Sequence, residues 1–349
     1  MKILFIIPAM KCGGAERVAV TFAKCLTEHE VKFVNLGSAE DELSSWIEPN
    51  FPIISLNCRR SFGAYFPLKR LIRKENPDFI FTTHIYVSVI LMLTGKKNTR
   101  KLIARFPTMP SNKLYKGLKI RIMEALERKL FRNTHTIIAQ TDEMKKEICS
   151  LLNVNEENVV TIHNPIDMEL IDKQTADIAT PFDKSKVNYL SVGNISPAKG
   201  YDTLITAFKL VLEKNSDAQL YILGRKETEY AQQIISTAKD SPNIHFEGFC
   251  KNPYQYMKYC TALVLSSRME GLPNVVLEAM YLNRPVAATT CVPIIDNLIK
   301  DGVNGYKSQP DNAESLASAM QKATLLQDIR NENLNETSII EFKKIFEKK

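Results

Sequence analysis

Residues 2–28 read KILFIIPAMKCGGAERVAVTFAKCLTE and set the pattern that the rest of the chain repeats. The apolar run Lys2–Pro8 predicts a buried β-strand, and the pair Gly13-Gly14 predicts a tight turn. From about Ala15 to Glu28, apolar residues recur at the spacing of an amphipathic helix. The segment is therefore predicted to be a strand, a glycine-rich turn and a helix, which is the repeating unit of a parallel α/β domain.

The same alternation of apolar strands and helical segments continues along the chain. The predicted strands of the first series are Val31–Leu36, Ile53–Leu56, Phe79–Thr82, Lys101–Arg105 and Thr136–Ala139. The predicted strands of a second series are Val187–Val192, Gln219–Leu223, Ile244–Phe246, Ala262–Leu265 and Pro285–Ala288. Strands this apolar, separated by helices, indicate parallel sheets that are covered on both faces.

A polar stretch after Asn164-Pro165 separates the two series of strands. We therefore predict two Rossmann-like, doubly wound domains, 1–165 and 166–330, whose strand ends face a common cleft. Residues 331–349 are predicted to form a helix that packs back towards the N-terminal domain, because their apolar residues recur at helical spacing.

Length and composition exclude several classes of protein. A chain of 349 residues is too long for one hydrophobic core of ordinary size. Its content of 44% hydrophobic and 24% charged residues excludes a mostly disordered chain. The net charge of +7 is small for a protein that coats nucleic acid. The seven cysteines include no CxxC pair, which argues against a disulfide framework or a zinc site. Without a signal peptide or an apolar run of about 20 residues, we expect a cytoplasmic protein, soluble or peripheral to a membrane.

The segment with the most chemistry is RMEGLPNVVLEAM, residues 268–280. Pro273 fits the first turn of a helix, and the helix that follows is apolar on nearly every face, which predicts burial. Glu278 lies inside that helix and Glu270 just ahead of its positive end. One interpretation is that these glutamates form structural ion pairs. The apolar surroundings of Glu278 favour another, in which its carboxylate faces a cleft and accepts two hydrogen bonds from a diol such as ribose.

This segment resembles the E-x7-E signature of the GT4 family of retaining glycosyltransferases, which have the GT-B fold. Three other stretches resemble that family in the expected order: GGAER at 13–17, VGNISPAKG at 192–200 and DGVNG at 301–305. The resemblance extends from the first strand to about residue 320. It implies a GT-B fold and transfer of a sugar from a nucleotide donor, with retained anomeric configuration and without a metal or other cofactor.

The resemblance also implies roles for individual residues. Glu278 would hold the nucleotide ribose, and Glu270 would contact hydroxyl groups of the donor sugar. Lys199 would bind the diphosphate and stabilise the charge that develops as the nucleotide leaves. The other donor-site residues that the motifs imply are Gly13, Gly14, Asn194, Gly271, Leu272 and Asn274.

Simpler interpretations exist for two of these motifs. Lys199 alone would be a solvated loop lysine, and the glycine pair alone would be a tight turn that any such fold needs. GGAER also lacks the G-x-G-x-x-G spacing, which disfavours a dinucleotide-dependent oxidoreductase.

Three positions differ from the family pattern. Asn194 stands where the family usually has an arginine, and Asn297 stands where an acidic residue is usual. The histidine that many members carry after the strand corresponding to Lys101–Arg105 is also missing. We expect Arg105 to supply positive charge to the donor in its place, and His84, after the preceding strand, is the other candidate.

A basic segment at residues 113–132 holds seven basic and two acidic residues, or +5 of the chain's +7. Its apolar residues recur at helical spacing, so it is predicted to be a basic amphipathic helix. An ordinary surface helix would account for the apolar stripe, whereas the concentration of charge suits an anionic membrane or a lipid diphosphate. We expect Lys113, Lys116, Lys119 and Arg121 to contact the membrane and the acceptor.

The sequence thus predicts a retaining transferase that moves a hexose or an N-acetylhexosamine from a nucleotide, expected to be UDP, to a lipid-linked glycan. This reaction would take place at the inner face of the cytoplasmic membrane, in bacterial polysaccharide synthesis. Two alternatives stay open: a GT-B transferase that acts on a soluble acceptor, and a non-catalytic subunit that stabilises a partner transferase. Asn194 and Asn297 favour the second alternative. No nucleic-acid partner is expected, because the basic residues cluster on one helix without a recognised nucleic-acid motif.

Overall fold

The computed structural model describes residues 1–9, 13–37, 47, 51–59, 61–111, 118–327, 329 and 335–347. Of residues 61–62, 118–124 and 335–336 it describes the backbone alone. The chain divides into two compact units. Unit 1 comprises Met1–Pro165 together with Leu334–Lys349, and unit 2 comprises Ile166–Asn333. The chain therefore passes from unit 1 to unit 2 and then returns to unit 1.

Unit 1 is built on a sheet of seven parallel strands in the order β3-β2-β1-β4-β5-β6-β7. The strands are β1 Lys2–Ile7, β2 Glu30–Asn35, β3 Ile53–Ser55, β4 Phe79–Thr82, β5 Leu102–Arg105, β6 Thr136–Ala139 and β7 Val159–Thr161. Ile3 to Ile7 of β1 are all buried, because helices cover both faces of the sheet.

Helices connect the strands of unit 1. They are α1 Gly14–Lys24, α2 Tyr65–Glu75, α3 Ile85–Leu93, α4 Lys96–Thr99, α5 Leu118–Phe131 and α6 Asp142–Leu152. Helix α1 ends at Lys24, so the prediction that it continues to Glu28 was wrong. The N–H of Leu26 bonds to the carbonyl of Ala23, three residues back, and this tighter turn closes the helix.

Unit 2 contains a parallel sheet of six strands in the order β10-β9-β8-β11-β12-β13. The strands are β8 Asn188–Val192, β9 Gln219–Leu223, β10 Ile244–Gly248, β11 Ala262–Leu265, β12 Val286–Thr289 and β13 Gly305–Ser308. The helices are α7 Met168–Thr175, α8 Tyr201–Lys214, α9 Glu229–Thr237, α10 Tyr254–Tyr259, α11 Asn274–Tyr281, α12 Ile294–Leu298 and α13 Ala313–Ala323. In both sheets the strand order runs outward from the first strand in two directions, so the predicted doubly wound α/β class is confirmed.

Helix α14, Asn335–Glu347, belongs to unit 1. Its Phe342 is fully buried, and its ring stacks on that of Phe22 in α1 with the centroids 4.0 Å apart. The same ring meets Phe81 of β4 edge-on at 5.5 Å. Helix α14 thus covers the face of the unit 1 sheet that α1 also covers.

Helix α3 is apolar along nearly its whole length, and its residues Val87 to Met92 are buried. It has 9 residues, whereas a membrane-spanning helix needs about 20. Within the described ranges, no helix combines the length and the apolar character that a membrane span requires.

Candidate active site

Two residues of opposite charge meet at the carboxyl ends of β8 and β11 in unit 2. Lys199 lies in the 3-10 turn Pro197–Lys199, and its Nζ is 2.6 Å from Oε1 of Glu270. The hydroxyl of Ser267 donates a second hydrogen bond to that oxygen at 2.7 Å. The side chains of Lys199 and Glu270 are 29% and 12% exposed, so the pair is shielded but open to a ligand. The structure therefore brings together the two residues that were predicted to be catalytic.

Arg268 connects the loop of Lys199 to the loop of Glu270. Its Nη1 donates to the carbonyl oxygen of Pro197 at 2.7 Å. Its backbone N–H donates to the carbonyl oxygen of Ala198 at 2.8 Å. The loop that carries the ammonium group is therefore tied to the start of the loop that carries the carboxylate.

The guanidinium of Arg268 also binds two carboxylates. Nη2 lies 2.7 Å from Asp202 at the start of α8, and Nε lies 2.5 Å from Asp311. The hydrogen bond to Asp202 raises the pKa of Arg268, and the same bond lowers the pKa of Asp202. Arg268 thus remains charged and joins three segments of unit 2.

The turn after Lys199 requires glycine at position 200. Gly200 has a φ of +62°, and a Cβ there would overlap the carbonyl oxygen of Ser266. The hydroxyl of Ser266 in turn donates to the carbonyl oxygen of Lys199 at 2.8 Å. On the other side of the turn, the hydroxyl of Tyr201 donates to the carbonyl oxygen of Gly193 at 2.7 Å. The backbone that positions Lys199 is therefore fixed by contacts with the end of β11 and with its own loop.

Glu278 lies on α11 and is 3% exposed. The hydroxyl of Tyr254, a residue that is itself buried, donates to Oε1 of Glu278 at 3.3 Å. A buried carboxylate is costly unless polar groups contact it. The ion-pair interpretation thus holds for Glu270, whose partner is Lys199, and Glu278 accepts a hydrogen bond from a neutral hydroxyl.

The other predicted donor-site residues of unit 2 lie in the same loops and helices as Lys199, Glu270 and Glu278, or close to them in the sequence. Gly271 and Leu272 are buried in the segment between Glu270 and α11, and Asn274 is half-buried at the start of α11. Asn194 is exposed in the loop after β8. Asn297 is exposed on α12.

Cys291, just after β12, lies near the charged pair. Burial, with a further contribution from Glu270, raises the pKa of this thiol to about 12. The thiol is therefore protonated at neutral pH and is not a nucleophile of the site.

In unit 1 the glycine-rich turn lies beside a carboxylate. A Cβ on Gly13 would overlap Oε2 of Glu16, so a side chain at this position would require the Glu16 side chain to shift. Oε1 of Glu16 is 3.2 Å from Nε2 of His84, whose Nδ1 lies 3.1 Å from the Thr83 hydroxyl. Gly14 is the first residue of α1, where the helix dipole favours an anion.

Arg105 is at the carboxyl end of β5 and is 2% exposed. Its Nη2 donates to Oδ1 of Asn164, and burial lowers the pKa of Arg105 to about 9. Within the described residues, its Nε and Nη1 have no hydrogen-bond partner. The predicted cation is thus present in unit 1, but it faces Asn164 rather than solvent.

The predicted basic helix lies partly outside the described residues. Lys113 and Lys116 are outside them, and of Lys119 and Arg121 only the backbone, at the start of α5, is described. Arg128 and Lys129, further along α5, are exposed.

Sequence reasoning gave no role to Arg268, Tyr254 or the pairing of Glu16 with His84. Arg268 stands two residues before Glu270 in the quoted segment, but its partners are distant in the chain. Tyr254 lies in a segment without a motif. Among the described residues, no three His, Cys, Asp or Glu side chains are grouped as ligands for a metal ion.

Two family models match the chain in succession. The model described as Glycosyltransferase Family 4 matches residues 12–170, and the model described as Glycosyl transferases group 1 matches residues 172–339. The chain therefore belongs to the GT4-like glycosyltransferases with the GT-B fold, and the predictions of family, fold and enzyme class are confirmed.

Two sequence relatives are glycosyltransferases of other organisms. An uncharacterized glycosyltransferase of Methanocaldococcus jannaschii is 30% identical over 241 residues, which make up 65% of this chain and 59% of that protein. This chain thus spans less than two thirds of the length of that relative. A Campylobacter jejuni protein is 26% identical over 347 residues, 94% of this chain and 90% of its own length. Its name is N-acetylgalactosamine-N,N'-diacetylbacillosaminyl-diphospho-undecaprenol 4-alpha-N-acetylgalactosaminyltransferase.

A solved structure with the same fold is that of Anabaena HepE in complex with UDP and glucose. It superposes with a TM-score of 0.76 at 19% sequence identity, over 99% of this chain and 95% of HepE. At this sequence identity, the structural similarity shows a shared fold and nothing about the substrates.

Proposed function

We propose that the protein is a retaining glycosyltransferase that moves a hexose or an N-acetylhexosamine from a UDP-linked donor to a lipid-linked glycan. The acceptor class is supported by the name of the Campylobacter jejuni relative, which includes diphospho-undecaprenol, a lipid diphosphate. The donor class is supported by the UDP bound to HepE. In this proposal the reaction takes place at the inner face of the cytoplasmic membrane and contributes to bacterial polysaccharide synthesis.

The observation that carries the proposal is the 2.6 Å pairing of Lys199 with Glu270. A departing nucleoside diphosphate concentrates negative charge, and a fixed ammonium group stabilises that state more than the ground state. Glu270 keeps Lys199 in place before the donor binds. When the donor binds, its diphosphate pairs with the ammonium group of Lys199. The carboxylate of Glu270 can then accept hydrogen bonds from hydroxyl groups of the donor sugar.

The remaining donor contacts follow from the elements around this pair. Glu278 accepts hydrogen bonds from the ribose, and Tyr254 orients its carboxylate. The backbone N–H groups of Gly271, Leu272 and Asn274 precede or begin α11, where the helix favours an anion. In unit 1, the resemblance of its motifs to the family gives Gly13, Gly14 and Arg105 as further candidates for donor binding.

Retention of configuration follows from attack on the face from which the diphosphate departs. The acceptor hydroxyl oxygen forms a bond to C1 of the sugar, and the bond between C1 and the diphosphate oxygen breaks. The released diphosphate takes the proton of the acceptor hydroxyl, so no side chain has to act as a base. The proposed reaction requires no metal or other cofactor.

The donor site is tested by thermal-shift titration with UDP, GDP, common sugar conjugates of both, and NAD. A ligand at 100 times its Kd stabilises a protein by about 2.7 kcal/mol, which is readily measured. We expect a shift with UDP that is lost in Glu278→Ala. Glu213→Ala, which removes an exposed glutamate from α8, is the matched control and should keep the shift.

Two other results of this titration have a definite meaning. A shift with GDP alone would contradict the UDP assignment and keep the enzyme class.

The exposed, neutral Asn194 favours the non-catalytic alternative, because an arginine there would add a second cation to the loop of Lys199. Folded protein that shifts with no nucleotide would support that alternative and refute the proposed transfer.

The membrane part of the proposal depends on the basic segment 113–132. Changing Lys116, Lys119 and Arg121 together to glutamate should abolish binding to vesicles that contain phosphatidylglycerol, while the shift with UDP is kept. Binding that persists in this variant would contradict the role of these three residues, and wild-type protein that does not bind the vesicles would favour a transferase that acts on a soluble acceptor.

A further inference from the structure

The outer face of α2 carries an exposed aromatic ring and a row of cations. Phe66, Lys69, Arg70 and Arg73 stand at positions i, i+3, i+4 and i+7, so they share one side of the helix. Phe66 is 77% exposed, and the three basic residues are exposed as well. We call these four residues the α2 stripe.

The opposite side of α2 fixes the direction in which the stripe points. Leu68, Leu71 and Ile72 are buried in the core of unit 1. Because these residues hold α2 against the sheet, the helix cannot rotate to bury Phe66 without exposing all three. The stripe is therefore a permanent part of the surface of unit 1.

The charge of the stripe is not neutralised within the described part of the chain. The one acidic residue of α2 is Glu75, and its carboxylate binds Lys32 at 2.8 Å and Lys2 at 3.4 Å. No carboxylate lies within ion-pair distance of Arg70 or Arg73 among the described residues. A single exposed phenylalanine would need no explanation, but an exposed ring in line with three unneutralised cations is a specific pattern.

We propose that the α2 stripe binds an anionic phospholipid bilayer, with Phe66 inserted at the level of the headgroups. An interfacial helix places its aromatic side chains at the boundary of the acyl chains and its cations against the lipid phosphates. Each basic residue near such a surface strengthens binding about fivefold, so three contribute on the order of 10². This inference rests on the proposed lipid-linked acceptor, and it assigns the contact to a surface separate from the segment 113–121.

The position of α2 agrees with this assignment. The buried helix α3 packs against both α2 and α5. Helices α2 and α5 therefore flank α3 on one face of the unit 1 sheet, and the exposed Arg128 and Lys129 of α5 lie on this face too. Cations on two helices of the same face suit an extended anionic surface, whereas a site for a small anion would use only one of them.

The test is flotation of the full chain with vesicles of phosphatidylcholine, with and without phosphatidylglycerol. The variant Lys69→Glu/Arg70→Glu/Arg73→Glu should lose on the order of 10² or more in affinity for the anionic vesicles. The matched control makes the same three charge reversals at exposed lysines of unit 2: Lys184→Glu, Lys239→Glu and Lys251→Glu. It should bind like the wild type.

Phe66 is tested separately, because its contribution does not depend on salt. Phe66→Ser should weaken binding in high salt, where the attraction of the cations is screened. In Phe66→Trp with the native Trp46 changed to phenylalanine, the fluorescence of the introduced indole should be quenched by brominated lipid chains. Absence of quenching would overturn the insertion of Phe66.

The remaining outcomes separate this inference from the proposed function. Each variant is also titrated with UDP, and a normal thermal shift shows that the donor site and the fold are intact. Equal vesicle binding by the wild type and the stripe variant would overturn the inference even if the wild type is an active transferase. Wild-type protein that binds RNA or DNA but not the vesicles would overturn it as well. A missing UDP shift in all proteins would instead refute the proposed UDP donor.

Discussion

Replacing Arg268 with alanine removes the side chain that joins the Lys199 loop, the start of α8 and the segment around Asp311. The two ion pairs are partly exposed, with side-chain exposures of 28% for Arg268 and 50% and 58% for its carboxylate partners. Each such pair contributes up to about 1 kcal/mol. The charged hydrogen bond to Pro197 O contributes about 1.5 kcal/mol at the lower end of its range, as suits an exposed group. We expect the free energy of unfolding to fall by about 2–3 kcal/mol.

The functional effect of Arg268→Ala should depend on the phosphates of the ligand. Without the bond to Pro197 O, one of the contacts that hold the Lys199 loop at the proposed diphosphate site is lost. Loss of a charge-assisted contact costs about 1.5–3 kcal/mol, so the affinity for UDP should fall about tenfold to a hundredfold. The affinity for uridine, which has no phosphate, should change little.

Both affinities are measurable by calorimetry for UDP and by ligand-observed NMR for uridine, at a temperature where the variant is fully folded. Arg284→Ala is the control, because Arg284 is in the same unit and its Nε donates to the neighbouring carbonyl oxygen of Leu282. Equal loss of affinity for UDP and uridine would mean that Arg268 maintains the fold of the whole unit. An unchanged affinity for both would refute the argument that it positions Lys199.

Three further substitutions test other parts of the structure. Tyr254→Phe removes the hydroxyl that contacts Glu278 and should weaken UDP binding about threefold to tenfold in calorimetry, with no effect on inorganic diphosphate; an equal effect on both would contradict it. Gly200→Ala places a Cβ against Ser266 O in a left-handed backbone conformation and should lower the melting temperature and the affinity for UDP together; wild-type values for both would show that the turn tolerates a side chain. Phe342→Ala should destabilise unit 1 by about 3–5 kcal/mol in urea denaturation, and a loss under 1 kcal/mol would show that α14 is not part of its core.

Much of the fold is predictable because its determinants are local. The strand Lys2–Ile7 follows from an unbroken apolar run, and α8 begins and ends where its helical spacing does, at Tyr201 and Lys214. The predicted end of α1 at Glu28 was wrong. The apolar pattern of the sequence continues past Lys24, but the backbone tightens there and the helix ends.

The site was predictable only in part. Glu270 and Lys199 are 71 residues apart in the chain, and their roles came from the resemblance of their segments to a family. The geometry around them was not predictable, because Arg268 reaches partners 66 and 43 residues away. A single sequence does not give the distances between loops. The burial of Arg105 is a similar case, because its position at a strand end predicted an accessible cation.

The return of the chain to unit 1 has a consequence for its synthesis. While the ribosome is making residues 166–333, Phe22 and Phe81 have already emerged, but Phe342, whose ring packs against both, does not yet exist. A nascent chain therefore presents an open aromatic surface on unit 1, to which a chaperone can bind, while unit 2 has all the residues it needs to fold. The unit that is translated first is thus the one that is completed last.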